Sequence, residues 1–529
     1  LNVLKMTLQL SHAAFRRFEP RVLPSLGMVS ALHTAVFGYT YNGTRRLLYA
    51  SVVPSVVVGA FVLGLFASIA VYRLSPWHPL ARYPGPTVAK LTKWYISYWI
   101  AKGNRHLKLQ EWHRTYGTWV RIGPNELSVD DPAAIRSIYS QMFRSLSYQG
   151  APQDADALIT TVNKNEHALR LVAWNRAFSA EKLKHYRTSA QTRTTQLLEI
   201  LATKKATVSL SHWVSLWALD VMGDMSFSGG FETLAAGKDV EGWMEVLHMG
   251  VLFVGVLGQV PWMRDLIALA PSPGPILTFQ KFAGKKVEET KQNTGGNRSD
   301  ILSIIVMLQQ NDSEGGIELT RLQAHADASF IVLAGSDTVG EGMTALMRYI
   351  TADAEIQQRL RAELSGAFDG PVEDMDASTL SKLPYLDACV QEALRLVPPV
   401  AAGPPRWNKD GPTQILDHAI PARTTIAPPN YAIFRDPRNF FNPERFLPER
   451  WLGGIIPHNV DAFVPFCVGP GMCIGKPVAL YNMKLLTASV IRTFKLSFPK
   501  DFDVKKFDES YKEHNLWVHN ELLVNLEVI

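Results

Sequence analysis

The chain has 529 residues, 47% hydrophobic and 19% charged, which fits a globular body with an unusually apolar portion and one large core or several small ones. Three cysteines, Cys389, Cys467 and Cys473, exclude a disulfide scaffold and point to a reducing compartment for the body. The formal net charge of +6 comes without an arginine-rich tract interleaved with aromatics, so no nucleic-acid partner is expected; it suits an anionic membrane surface and an acidic redox partner.

In chain order, an apolar stretch from Val22 to Tyr41 comes first. A longer one, from Leu47 to Tyr72, contains no Asp, Glu, Lys, Arg or His. About 20 apolar residues suffice to cross a bilayer, so residues 47–72 are predicted to be a retained transmembrane anchor. The stretch is too long, and too far from the start, for a cleaved secretory signal. Pro54 lies near its beginning, where proline is tolerated. Arg45 and Arg46 precede it and Arg73, Arg82, Lys90 and Lys93 follow, so charge alone leaves both orientations open. Residues 1–46 are expected to be an interfacial segment or a second membrane helix forming a hairpin with the anchor. Asn42-Gly43-Thr44 is a glycosylation sequon of a kind common by chance. The sequence opens on Leu1, with Met6 and Met28 as alternative starts. Pro76, Pro79, Pro84 and Pro86 then stiffen the backbone and disfavour helix. Residues 73–86 are predicted to be a hinge that stands a soluble body, 87–529, off the membrane at a fixed angle.

In the body, Trp119–Ile122 and Glu126–Val129 flank Gly123-Pro124 and read as a hairpin. Apolar residues three and four apart predict helices over Glu181–Leu201 and Leu319–Ile350. Gln292 to Gly316 reads as a short helix between polar ends. No internal repeat occurs, and one large, mainly α domain with small β-sheets is expected.

The longest helical tract contains Ala334-Gly335-Ser336-Asp337-Thr338. A mid-helix glycine costs about 1 kcal/mol against alanine, so it needs a reason. One reason is chemical: the Thr338 hydroxyl takes the Ala334 carbonyl, opens the helix locally and admits water and O2, with Asp337 and Thr338 relaying protons. The other is a small-residue patch where a second helix packs closely. Further on, Glu392 and Arg395 share a helical face, either as a surface pair or, given apolar neighbours, as a buried pair that needs more partners. Arg450 in Pro448-Glu449-Arg450-Trp451 can supply one; Arg445 is the alternative. Last comes Phe466-Cys467-Val468-Gly469-Pro470-Gly471-Met472-Cys473-Ile474-Gly475. A thiol bracketed by glycines and proline suits a thiolate held against a flat iron cofactor, with backbone amides directed at the sulfur. A buried free cysteine in a glycine-rich turn is the alternative.

Together these motifs resemble the cytochrome P450 family. Its signature Phe-x-x-Gly-x-Arg-x-Cys-x-Gly is matched at Phe466, Gly469, Cys473 and Gly475, with Gly471 where the family has Arg; its oxygen-activation motif is matched throughout 334–338. The resemblance spans about residues 70–529, and its details look like fungal microsomal members. It implies the cytochrome P450 fold and haem b (iron protoporphyrin IX) with Cys473 as the iron ligand. Phe466, Gly469, Gly475, Ala334 and Gly335 would lie around the cofactor. It further implies proton delivery by Asp337 and Thr338, and a structural triad of Glu392, Arg395 and Arg450. For the propionates, Arg406 and His167 match usual positions. The Arg expected four residues after His167 is Leu171, and Arg170, one helical step away, is rotated by about 100°. Arg423 stands where Gly is common, and Phe434 where His is common.

The resemblance places substrate contacts in Gln149–Val162, Trp243–Leu257, Phe330–Ala334 and Val400–Gly403. Met244, Val246, Leu247, Met249, Val251, Leu252 and Phe253 are apolar and fit a pocket or a core equally well. Ala334, Ala401 and Ala402 would leave room above the iron. The expected activity is insertion of one oxygen atom from O2 into a small, apolar, mid-sized molecule, a terpenoid or other fungal secondary metabolite. No flavin or nicotinamide motif occurs, so electrons would come from NADPH through a membrane-bound cytochrome reductase docking on the basic proximal face. The corresponding location is the endoplasmic reticulum membrane, with a single-pass anchor and a cytosolic body. Two rivals stay open: an O2-independent haem-thiolate isomerase or dehydratase, and a degenerate haem-binding paralogue, the latter suggested by Gly471 and Leu171.

Overall fold

The computed structural model describes residues 9–13, 22–150, 155–204, 206–263, 266, 268–269, 274–292, 300–310, 319–368, 370–409, 411–454 and 456–529. Two apolar helices come first, α1 (Val22–Thr44) and α2 (Leu47–Leu74), with mean hydropathies of 1.3 and 2.4. By length and composition each can cross a bilayer. Arg45, at φ 55°, turns the chain between them, and the two helices lie side by side with His33 Nε2 3.4 Å from Ser55 Oγ.

The proline-rich segment after α2 is a collar packed onto the body. Leu80 and Tyr83 are buried in the same cluster as Leu127 and Ile426. The Tyr83 ring lies 5.9 Å from Trp119 and 5.6 Å from His418, which themselves stack at 4.0 Å. The Pro84 carbonyl accepts from the Arg121 amide at 2.7 Å. Arg121 Nη1 in turn donates to the carbonyl of Arg73, in the last turn of α2, at 3.0 Å.

Eight short strands form the two larger sheets. They are β1 (Trp119–Gly123), β2 (Glu126–Val129), β3 (Phe143–Arg144), β4 (Val208–Ser209), β5 (Arg406–Trp407), β6 (Thr425–Ala427), β7 (Phe494–Ser497) and β8 (Leu523–Val528). The five-stranded sheet runs β1-β2-β6-β5-β3, with β2 and β6 parallel. Its first two strands are the expected hairpin, Trp119 facing Val129. The three-stranded sheet runs β4-β8-β7, antiparallel throughout.

Helices make up most of the rest. Those that position the site are α3 (Arg105–Tyr116), α4 (Pro132–Gln141), α5 (Lys164–Ala177), α6 (Leu210–Phe227), α7 (Trp243–Leu257), α8 (Arg321–Thr351), α9 (Pro384–Leu396) and α10 (Lys476–Thr493). The periodic tract 319–350 is α8. Thr320 starts it with a capping box: its hydroxyl accepts from the Gln323 amide, while the Gln323 side chain accepts from the Thr320 amide. The tract 181–201 is the helix Ala180–Ala202. Within 292–316 the structure describes a helix at Ile301–Gln310, and 293–299 and 311–318 lie outside the described residues. The main core is built where α6, α9 and α10 pack around α8, joining Trp217, Met343, Leu346, Leu394 and Leu486. A mostly α body with small sheets is what this architecture is.

Candidate active site

The loop before α10 carries the two cysteines of the glycine-rich motif. Gly469, at φ 74°, lets the chain turn against α4, where an added Cβ would sit 2.8 Å from the Tyr139 carbonyl. The Cys473 amide donates to the Phe466 carbonyl at 3.0 Å, closing the loop. Gly475 then caps α10, so the positive end of that helix points at the sulfur. Amide hydrogens of Gly475 and Lys476 are directed at Cys473 Sγ and favour its thiolate, but burial outweighs them and pushes the free thiol up. Even so, Cys473 retains exposed surface. The sulfur is thus reachable on the loop while the protein around it desolvates its charged form. A metal cation there would deprotonate the thiol outright.

The charges beside this loop test whether an anionic cofactor fits. Arg406, on β5, is 1% exposed, and its Nη2 lies 3.3 Å from Cys467 Sγ. Arg144, on the adjacent β3, is buried as well and donates to the Leu158 carbonyl at 2.9 Å. Neither guanidinium has a carboxylate partner among the described residues, and Arg406 Nε has no hydrogen-bond acceptor. Burying an unpaired cation costs several kcal/mol, so two of them call for an anion. Tyr148 Oη accepts from Arg406 Nη1 at 3.4 Å, which leaves its own O–H to donate. The two carboxylates of a porphyrin have the matching charge, and the residues present fit the group. Burial and the charges of Arg144, Arg170 and Arg406 lower the His167 pKa to about 3, so this ring is neutral and adds no cation to the cluster.

Gly471 acquires a local reason. A Cβ built on it would come within 2.7 Å of Arg406 Nη2, so Arg406 fills the space a longer residue at 471 would need. Arg170 does not join this cluster. It is buried in an ion pair with Asp327 of α8 at 2.8 Å and donates to the Asp156 carbonyl. Leu171 packs against the core beside it.

On α8 the Thr338 hydroxyl donates to the Ala334 carbonyl at 2.8 Å. The helix nevertheless runs unbroken through the motif, so the predicted local opening is absent here. Ala334 is exposed although α8 is buried over most of its length, which gives it open surface within the body. Gly335 has the packing explanation: a Cβ there would collide with the Met222 sulfur of α6. Asp337 Oδ1 lies 2.7 Å from His248 Nε2 on α7. Ala401 and Ala402 are buried against other side chains rather than beside open space. On α7, Val246 and Leu247 are core residues while Phe253 is exposed. Residues 151–154 of the expected substrate segment lie outside the described residues.

The scaffold behind the loop centres on three fully buried side chains, Glu392, Arg395 and Arg450. Glu392 on α9 accepts two hydrogen bonds from Arg395 at 2.9 Å, one from the Leu447 amide at 2.9 Å and one from Trp451 Nε1 at 3.0 Å. Arg450 Nε reaches both carboxylate oxygens at 3.0 Å. Arg395 also donates to the carbonyls of Phe434, Pro443 and Arg445. Arg445 thus meets the cluster through its backbone and Arg450 through its side chain. The residues that sequence reasoning missed are Arg144, Tyr148 and His248. They carry no motif: Arg144 is brought in by the pairing of β3 with β5, and His248 by its hydrogen bond from α7 to Asp337 on α8.

An enzyme that holds an iron porphyrin through a cysteine is the class to which this fold and donor set point. The sequence profile of the cytochrome P450 family matches residues 84–521, and the chain belongs to that family of haem oxidoreductases. It is 31% identical to Cytochrome P450 67 of Uromyces fabae over 97% of this chain and 96% of that one. It is 32% identical to Cytochrome P450 monooxygenase FCK2 of Fusarium pseudograminearum, covering 81% and 78% of the two chains. Tryprostatin B 6-hydroxylase of Aspergillus fumigatus is 30% identical, over 89% of this chain and 87% of its own. The chain is a P450 monooxygenase.

Proposed function

We propose that this chain is a membrane-anchored monooxygenase that oxidises an apolar, mid-sized fungal secondary metabolite, with terpenoids as the first class to test. The overall change would be RH + O2 + NADPH + H+ → ROH + H2O + NADP+, with electrons relayed by a membrane-bound flavoprotein reductase. Haem, held by Cys473 with its carboxylates toward Arg406 and Arg144, would supply O2 reduction and oxygen transfer. Asp337 and Thr338 would hold protons on α8 beside it, and the Glu392–Arg395–Arg450 cluster would keep the cysteine loop in place. The endoplasmic reticulum is the proposed location, with α2 as anchor and the body cytosolic.

The observation that carries this reading is a desolvated yet accessible Cys473 on a loop whose other thiol, Cys467, lies 3.3 Å from the buried Arg406, a guanidinium without a carboxylate partner among the described residues. That charge arrangement also speaks against a degenerate paralogue, because Arg406 takes up the space beside Gly471. The intact Thr338–Ala334 bond and Asp337 favour O2 chemistry over isomerisation. The decisive experiment is the reduced carbon-monoxide difference spectrum of purified full-length protein and of Cys473→Ala. A thiolate-type band in the parent, absent in the variant, is expected; no such band in the parent refutes the reading. Reductase-driven turnover of a panel of terpenoids and tryprostatin B then addresses substrate, and NADPH-independent turnover would favour the isomerase.

A further inference from the structure

Beside the oxygen-activation motif, four titratable side chains line up along α8, and only one of them belongs to that motif. His248 stands on α7 with 37% of its side chain exposed, and its Nε2 lies 2.7 Å from Asp337 Oδ1. Asp337 is 10% exposed, and its Oδ2 has no hydrogen-bond partner among the described residues. One turn later Glu341, 9% exposed, faces His519 of the C-terminal segment at 3.1 Å. A solvent-reaching imidazole thus touches a carboxylate that solvent scarcely reaches, and a second buried acid–base pair lies next to it on the same helix.

We propose that His248 is the positioning residue through which Asp337 exchanges protons with solvent: its Nε2–H gives a proton to Asp337 Oδ1, and the same bond holds α7 on α8. In this step the imidazolium N–H bond breaks, an O–H bond forms on the carboxylate, and the neutral ring takes its next proton from water. The inference rests on the monooxygenase reading, since Asp337 needs resupply only if it delivers protons.

The electrostatics favour a charged imidazole. Burial alone would lower its pKa, but the hydrogen bond and charge of Asp337, with the charge of Glu341, outweigh burial and raise it. His519 opposes them. Glu341 is pushed up by burial and His519 is raised by facing it, so that pair holds a proton between them instead of adding a full charge to the file. A purely structural tie would need only a donor at this place. An imidazole supplies a donor that also titrates near neutral pH.

The test uses full-length protein in lipid nanodiscs with an NADPH-dependent microsomal reductase and no added substrate. His248→Gln keeps a side-chain N–H for Asp337 but cannot carry a proton in this range. With its carbon-monoxide band intact, it is expected to oxidise NADPH about tenfold more slowly, with a larger D2O effect and a flattened pH profile, short of the hundredfold typical of a lost general acid. Independently of turnover, 13C-histidine NMR of the parent should show the resonance missing in His248→Gln titrating above the ordinary value of about 6.5. Asp337→Asn should lower that midpoint. An unchanged NADPH rate and D2O effect in His248→Gln, or a His248 midpoint insensitive to Asp337→Asn, overturns the proposal while leaving the monooxygenase reading standing. A parent without the thiolate band overturns both, and the NMR arm then still reports whether the two residues are paired.

Discussion

At the scale of single residues, Gly471 and Arg406 form a complementary pair. The family signature has arginine at 471, and restoring it looks conservative. Here the new Cβ would meet a buried guanidinium at 2.7 Å, adding overlap and like charge at one place. Gly471→Arg is therefore expected to cut haem content per protein severalfold, measured as carbon-monoxide band per unit protein. Arg406→Gln in the same chain should recover part of it, a coupling that a double-mutant cycle reads directly. If Gly471→Arg instead raised haem content, the complementarity would be refuted. Arg423 is a smaller case. It sits at φ 63°, a region costly to non-glycine residues, so Arg423→Gly is expected to leave stability unchanged or raise it by up to about 1 kcal/mol in chemical unfolding. The glycine common at that position in the family suits the same backbone angle.

At the scale of elements, two contacts hold the site in register. The first is α6 against α8, which depends on Gly335 having no side chain opposite Met222. Gly335→Ala should destabilise by about 1–2 kcal/mol through overpacking, and Met222→Ala in the same chain should relieve part of that, both read in denaturant unfolding. The second is Glu392, buried together with its two arginine partners, Arg395 and Arg450. Glu392→Gln leaves Arg395 and Arg450 as buried cations without an anion, a loss of about 3–5 kcal/mol. Lower yield and earlier unfolding even of haem-free protein are the expected signs. Elements of this kind were largely legible in the sequence. The long helix, the hairpin at Gly123-Pro124 and the apolar stretches at 22–41 and 47–72 follow from local periodicity and turn chemistry. What local pattern could not provide is pairing across the fold. Arg144 and Arg406 are 262 positions apart and meet because β3 pairs with β5 at Arg144 and Arg406. His248 is one polar residue on an apolar helix, and only the fold brings it to Asp337 of α8. Motifs carry chemistry that spacing fixes, whereas these partners are fixed by topology.

At the scale of the whole molecule, α3 gives the body a built-in acid limit. His106 and His113 are buried there, and desolvation lowers both to about 4. In the unfolded chain each titrates near 6.5, so below that pH the unfolded state binds more protons and stability falls. The loss accumulates between pH 6.5 and 4 and levels off below, at about 3 kcal/mol for each ring. Unfolding midpoints measured across this window should drop steadily, and His113→Gln, which can still bond to the Gly117 carbonyl, should flatten the drop. His248 has the opposite sign. Its pKa is raised, so its contribution is complete below about 6.5 and fades as pH rises through the folded value. Acid therefore weakens α3 while it tightens α7 on α8.

The collar has a mechanical consequence. Tyr83 is gripped by Trp119 and His418, and Arg121 ties the end of α2 to the first sheet. Were α2 set in a bilayer as proposed, its tilt would become tilt of the body, as in a lever with no loose joint. The posture of the molecule over the lipid would then be inherited from the chain itself, and compounds dissolved in that leaflet would meet the same side of the protein at each encounter.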